Sequence, residues 1–194
     1  MTVEDMKVRL KKELNHSRYQ HSIGVMEESV KLAKHYNIDN IKAEIAGLLH
    51  DCAKHLNNAE STKLIKENGI QLDEIQKNTP SLYHGILAPI VAVKQYDVMD
   101  QEILDALYWH STGRAGMTPL EKIVFVADYI EPCRKFDNIL HARKVAYEDI
   151  NKCILMVTDL SIRYVLSKGD LLHPDTVSTR NEALFKVKQG IKGL

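Results

Sequence analysis

His50-Asp51 closes an apolar run made by Ile45, Ala46, Leu48 and Leu49. An imidazole and a carboxylate in that position are costly to bury unless they are paired or bound to something. Asp128 follows Val124-Phe125-Val126-Ala127 in the same way, and an ionised carboxylate there calls for a cation or a strong donor. His21, His84 and His110 complete an ordered series of His and Asp residues. His21, His50, Asp51 and Asp128 together offer two imidazoles, two carboxylates and no thiolate. Such mixed nitrogen and oxygen ligation suits iron, manganese, cobalt or another divalent transition metal better than a closed structural zinc site. Bound metal would acidify a water and offset charge on a phosphoryl oxygen. Two roles stay open for His84 and His110. They hold a second ion across a bridging carboxylate, or they contact phosphate and protonate a leaving group.

The elements that must position these groups read as helices. Apolar spacing predicts helices over Val3–Leu14, Ser17–Tyr36, Ile41–Lys54 and Ala59–Asn68, the third with Asp39 or Asn40 as cap and the fourth stopped by Gly69. Pro80 opens another over Leu82–Tyr96, in which Pro89 should kink or interrupt the chain. Asp100 caps a helix ending at His110, and Pro119 starts one that Pro132 stops after Ile130. Helices over Ile139–Tyr147, Ile150–Leu166 and Asn181–Ile191 follow, with a loop from Gly169 to Ser178. No alternating strand, repeat or low-complexity linker interrupts the pattern. The fold class is all-α, a single-domain helical bundle over 1–194.

Apolar residues are 44% and charged residues 27% of the 194-residue chain, ordinary values for a soluble globular protein. Lys plus Arg and Asp plus Glu stand at 26 each, so no global field draws nucleic acid or an anionic membrane. The apolar runs are far short of a membrane span, and the charged amphipathic N-terminus lacks a signal peptide's apolar core. Cys52, Cys133 and Cys153 are odd in number and widely spaced, which argues for a reducing, cytoplasmic setting. His16, His35, His55 and His141 sit in polar sequence and should face solvent. Oligomeric state is left open, a homodimer included.

The order His, His-Asp, His, His, Asp resembles the HD-domain metal-dependent phosphohydrolases. The flanking segments are more specific: Arg18-Tyr19-Gln20-His21-Ser22, Leu48-Leu49-His50-Asp51-Cys52-Ala53-Lys54, Leu82-Tyr83-His84-Gly85 and His110-Ser111-Thr112-Gly113-Arg114-Ala115-Gly116-Met117. With Ala127-Asp128-Tyr129-Ile130-Glu131-Pro132-Cys133-Arg134 and His173-Pro174-Asp175-Thr176, they are similar to the YqeK-type branch. That resemblance implies symmetrical hydrolysis of diadenosine tetraphosphate to two ADP. It implies an iron-type ion on His21, His50, Asp51 and Asp128. Nucleotide contacts then fall to His84, His110, Arg134 and the stretch Leu172, His173, Pro174, Asp175, Thr176 and Val177. Arg18, His21 and Asp128 are counted with these as substrate-binding, and Asp51, Lys54, His84 and His110 as catalytic. The motif core spans about 18–134, and the remainder, about 135–194, builds the nucleotide side.

Two cationic residues rest on weaker signals. Lys54, three residues past Asp51, shares its face if the helix continues, and either holds phosphate or orients Asp51. Arg114, in a Gly-rich loop, is a second phosphate candidate. The bland alternatives are a solvated lysine and a plain interhelical turn. For His173-Pro174-Asp175-Thr176 the alternative to a nucleotide lip is an N-capping segment, with Thr176 or Asp175 as cap. One of Tyr83, Tyr108 and Tyr129 is a candidate to stack on adenine. Rival functions are another HD-type nucleotide phosphohydrolase (a 5′-nucleotidase, a deoxynucleoside triphosphatase or a phosphodiesterase), a non-catalytic nucleotide-binding regulator, and a helical RNA- or protein-interaction domain.

Overall fold

Asn15 and Asp39 start the two helices around which the molecule is built. Each side chain accepts from backbone N–H groups of the following turn, supplying partners that a helix start otherwise lacks. The computed structural model describes residues 1–194 and is all-helical. Its helices are α1 (Val3–Glu13), α2 (His16–Tyr36), α3 (Asn40–Leu49), α4 (Asn58–Glu67), α5 (Glu74–Lys77) and α6 (Tyr83–Tyr96), the last preceded by a single 3₁₀ turn, Pro80–Leu82. After these come α7 (Gln101–Trp109), α8 (Pro119–Ile130), α9 (Ile139–Glu148), α10 (Ile150–Lys168) and α11 (Pro174–Lys188). No helix is long and apolar enough to cross a membrane.

α2 and α3 pack closely because Gly47 lies at the crossing. A Cβ there would sit 2.7 Å from Ser29 Oγ and 2.9 Å from the Met26 Cα, so only glycine lets the backbones meet. α8 packs on α2, α3 and α7, and α10 joins α8 to α9 and α11. Leu120 to Ala127 of α8 is buried on every side, as expected of a helix through the centre of a core. Leu32, Leu48, Leu49, Leu107, Ile123 and Ile154 are essentially inaccessible and belong to one continuous core. Each fully buried side chain of this size contributes about 1.5–3 kcal/mol of transfer free energy.

Ten of the eleven helices fall where the apolar pattern expects one, with four corrections. α3 ends at Leu49, so His50 to His55 form turns and Lys54 is not on a helical face with Asp51. Pro89 stands inside α6 without interrupting it. The short α5, capped by Asp73, falls in a stretch with no helix expected. α11 starts at Pro174 instead of Asn181, and its cap is His173, whose Nδ1 accepts from Asp175 N; neither Thr176 nor Asp175 is the cap.

Candidate metal centre and its flanking cavities

Three segments deliver the first group of ligating side chains. His21 comes from the second turn of α2, His50-Asp51 from the turn closing α3, and Asp128 from the last turn of α8. His84, at the start of α6, and His110, at the end of α7, approach from the other side. His50 and His110 are buried, with Asp51 and His21 nearly so. Asp128 and His84 are half-buried at the mouth.

The imidazoles share one arrangement. His50 Nδ1 donates to Gly47 O at 2.8 Å, His84 Nδ1 to Ser81 O at 2.7 Å, and His110 Nδ1 to Leu107 O at 2.7 Å. His21 Nδ1 instead bonds Glu131 Oε1 at 3.0 Å. A carbonyl only accepts, so in His50, His84 and His110 the Nδ1 carries a proton, and the neutral ring offers a lone pair at Nε2. The Nε2 atoms face one another: His21 to His50 at 3.2 Å and His84 to His110 at 3.1 Å.

Asp51 joins the two pairs. Its Oδ2 lies 3.5 Å from His50 Nε2 and 3.8 Å from His21 Nε2. Its Oδ1 lies 3.4 Å from His84 Nε2 and 3.8 Å from His110 Nε2. Asp128 Oδ1 adds a contact of 3.0 Å to His21 Nε2. His21, His50 and Asp51 thus form one group whose ligating atoms lie close enough together to hold a metal ion, and Asp51, His84 and His110 a second. Convergent lone pairs and carboxylate oxygens repel one another unless a cation sits among them. This donor set fits a divalent transition metal.

The electrostatics follow from the same crowding. Burial, then the neighbouring His110, pushes His84 down to about 3. Burial, then His50, pushes His110 down to about 4. Burial alone would raise both carboxyls. The adjacent imidazoles reverse that for Asp51, and the bond to His21 with the charges of His50 and Arg134 reverses it for Asp128, so both stay well below the usual carboxylate range. At His50 burial opposes the charged form, but Asp51 and Asp128 outweigh it and the ring holds a proton more tightly. A cation bound among the same carboxylates displaces such a proton.

Three cationic side chains touch the cluster from outside. Arg18 Nη1 is 2.8 Å from Asp51 Oδ2. Arg134 reaches Asp128 twice, through Nη2 to Oδ1 at 2.7 Å and Nε to the backbone carbonyl at 3.0 Å. Lys54 Nζ lies 3.0 and 3.3 Å from the two ring nitrogens of His84, and burial lowers its pKa. A cavity of about 260 Å³ opens beside the cluster, lined by His110, Asp128, Tyr129, Arg134 and Phe136 with Val157 of α10. His173 and Asp175 border a small crevice with Tyr108, Trp109, Ser111 and Thr112, which brings the start of α11 beside the His110 segment. His173 also ties α11 to α5 through Asp73 Oδ2 at 3.0 Å.

Arg114 is not brought to the cluster. Its guanidinium makes a bidentate pair with the buried Glu121, at 2.9 and 2.5 Å, and lies over the Trp109 ring. The loop it occupies is shaped by α8 and α11, with Thr179 packed where a Gly113 side chain would be. Two residues beyond those expected stand out. Glu131, almost fully buried, holds His21 Nδ1 and accepts from Cys133 N at 2.6 Å. Its carboxylate fills the space over Gly24, where a Cβ would come within 2.6 Å of Oε2. The Ser111 hydroxyl lies 3.1 and 3.0 Å from the Nε2 atoms of His84 and His110. Its place three residues after Asp128, in the Ala127–Arg134 segment, was the only sequence signal for Glu131. His16, His35, His55 and His141 are exposed, as their polar settings suggested.

The family model for the HD domain matches residues 18–133. A symmetrical bis(5′-nucleosyl)-tetraphosphatase of Bacillus subtilis is 35% identical over 93% of this chain and 97% of its own. That of Halalkalibacterium halodurans is 38% identical over 92% of this chain and 95% of its own. A crystal structure of a "predicted HD superfamily hydrolase involved in NAD metabolism" from Clostridium acetobutylicum superposes with a TM-score of 0.92. It is 40% identical and covers 96% of this chain and 98% of its own. On the segment that carries the histidine cluster and on near full-length similarity, the chain belongs to the HD-domain family, in its branch of symmetrical bis(5′-nucleosyl)-tetraphosphatases.

Proposed function

We propose that the protein is a metal-dependent hydrolase that cuts diadenosine tetraphosphate at its central phosphoanhydride to give two ADP. The observation that carries this reading is the convergence of four Nε2 atoms on the two oxygens of Asp51, beside a cavity lined by Arg134. His21, His50, Asp51 and Asp128 would hold one iron-type ion, with manganese or cobalt as substitutes. His84 and His110, with the free oxygen of Asp51, would hold a second. Facing Nε2 atoms favour this over the phosphate-contact role expected from the resemblance. Once bound, such ions supply a more acidic water and neutralise charge on the attacked phosphoryl group.

The chain's own residues account for the rest. Glu131 fixes the His21 ring so that Nε2 points inward, the usual task of a carboxylate behind a ligating imidazole. Arg134 spends two of its nitrogens on Asp128 and keeps the other N–H groups for phosphate. Arg18 commits one nitrogen to Asp51 and keeps its others for phosphate. Tyr129 and Phe136, edge to face at 4.6 Å in the cavity wall, offer apolar faces for a purine. His173 and Asp175 border the crevice beside Ser111, which supports a nucleotide side built by 135–194, the Leu172–Val177 stretch included, and a metal side built by 18–134. The setting we infer is cytoplasmic, since the three cysteines are free and two of them buried. We infer no nucleic-acid partner, the charge being balanced.

The test is product analysis. Iron-, manganese- or cobalt-loaded protein is incubated with diadenosine tetraphosphate and the products are separated by ion exchange. Two ADP are expected. AMP plus ATP would overturn the symmetrical assignment, and no turnover with any of the metals would favour the regulatory module.

A further inference from the structure

A second cavity, of about 470 Å³, also borders the cluster, yet it shares no lining residue with the one at Arg134. Its wall includes Lys54, Leu56, Asn58, Pro80, Ser81 and His84. The histidines link the two: His84 lines the larger and His110 the smaller, with their Nε2 atoms 3.1 Å apart. Lys54 leads from the larger cavity to the cluster, its ammonium within 3.0 Å of the His84 ring.

A tetraphosphate bridge cut at its centre leaves two identical halves that extend from the reacting phosphorus in different directions. On the reading above, the Arg134 cavity, about 260 Å³, takes one of them. The other half needs a cation for its phosphates, polar groups for its ribose and an apolar wall for its base. The larger cavity carries these as Lys54, then Asn58 and Ser81, then Leu56 and Pro80. Asn58 and Ser81 are exposed, so their polar groups are open to a ligand.

We propose that the Lys54 cavity binds the second nucleoside diphosphate half of the substrate, Lys54 meeting its phosphates and Asn58 and Ser81 its ribose. This rests on the dinucleotide reading above. It makes the larger cavity the source of preference for a dinucleoside over a mononucleoside polyphosphate, because a substrate with one nucleoside leaves it empty.

Asn58→Trp fills this cavity from the first turn of α4, leaving the Asn57 cap and every residue of the cluster in place. The measurement is kcat/KM for diadenosine tetraphosphate against that for adenosine 5′-tetraphosphate, in wild type and variant, with bound metal counted in both. Wild type should favour the dinucleotide by at least about tenfold, the equivalent of one good polar contact. Asn58→Trp should remove that preference through KM for the dinucleotide while metal content holds. Lys54→Ala should raise the same KM. A preference that survives Asn58→Trp within about twofold, or is missing in wild type, overturns the inference. If wild type yields no ADP from the dinucleotide at all, the failure belongs to the parent reading instead.

Discussion

Two buried groups of charged residues lie on opposite ends of α8, and they are built on opposite rules. At its start, each charged side chain has a polar partner. Arg114 grips Glu121, Lys122 Nζ lies 3.3 Å from Asn151 Oδ1, and Lys186 bonds Glu182 at 2.5 Å. Asn151 passes the network on to the C-terminal residues through the carbonyls of Ile191 and Gly193. At its end, around Asp128, acceptor faces acceptor. Imidazole lone pairs point at one another and at carboxylate oxygens, and the protons that would relieve them are committed to backbone carbonyls behind the rings. A satisfied network fixes structure. A convergent set of lone pairs and carboxylate oxygens calls for a ligand, and the chemistry of its donors specifies a cation.

Substitutions at the two ends should therefore fail in different ways. The largest effect is expected from Asp128→Ala, which should abolish metal retention and reduce turnover to background while the helical circular dichroism persists. Wild-type turnover in that variant would contradict the metal site as described. Glu131→Gln is expected next. Losing the carboxylate behind His21 should weaken metal binding about 10–100-fold, read by competition with a chromophoric chelator. An unchanged affinity would make Glu131 a structural residue only.

Arg114→Ala should do the reverse. It leaves the Glu121 carboxylate buried without its partner and should destabilise the fold by on the order of 2–4 kcal/mol. Metal content and kcat of the folded fraction should stay near wild type. A loss of substrate affinity at full stability would return Arg114 to the phosphate site. Lys122→Met gives the smallest and most pH-dependent effect. Burial, then the nearby Lys186, lowers the Lys122 pKa to about 8. The unfolded chain holds this proton up to about 10.4. Between those values the unfolded state binds more protons, so the lysine's cost is fully present below about pH 8 and fades as pH rises. The variant should be more stable than wild type at pH 7, by about 1–2 kcal/mol, with the gap narrowing by pH 10. Parallel denaturant curves at the two pH values check the sign.

Why one end of α8 was legible in the sequence and the other was not follows from the same contrast. Polar residues at the ends of apolar runs, His50-Asp51 and Asp128, announce a burial problem in a single stretch of chain. α8 itself is bounded by Thr118-Pro119 and Pro132, strong local signals, and appears where the pattern predicts it. Arg114 looked like a ligand candidate because its loop is Gly-rich. Its partner, Glu121, is already committed to the capping box of α8, and only the folded turn brings the two together. The early start of α11 was hidden by Thr176, Val177 and Thr179, poor helix formers in isolation. Their cost is met in the tertiary structure: His173 caps the helix and is held by Asp73, and Thr179 is buried beside Gly113. Glu131 escaped notice because its role depends on a gap over Gly24, a helix away in space and remote in sequence.

The account turns on Asp51, whose two oxygens are divided between two pairs of histidines. Equilibrium dialysis against iron, manganese or cobalt, with ions counted per chain in wild type and Asp51→Ala, tests this directly. Wild type should retain two ions, and Asp51→Ala should lose both. Retention of none by wild type, or the same number by Asp51→Ala, would contradict the shared-carboxylate centre.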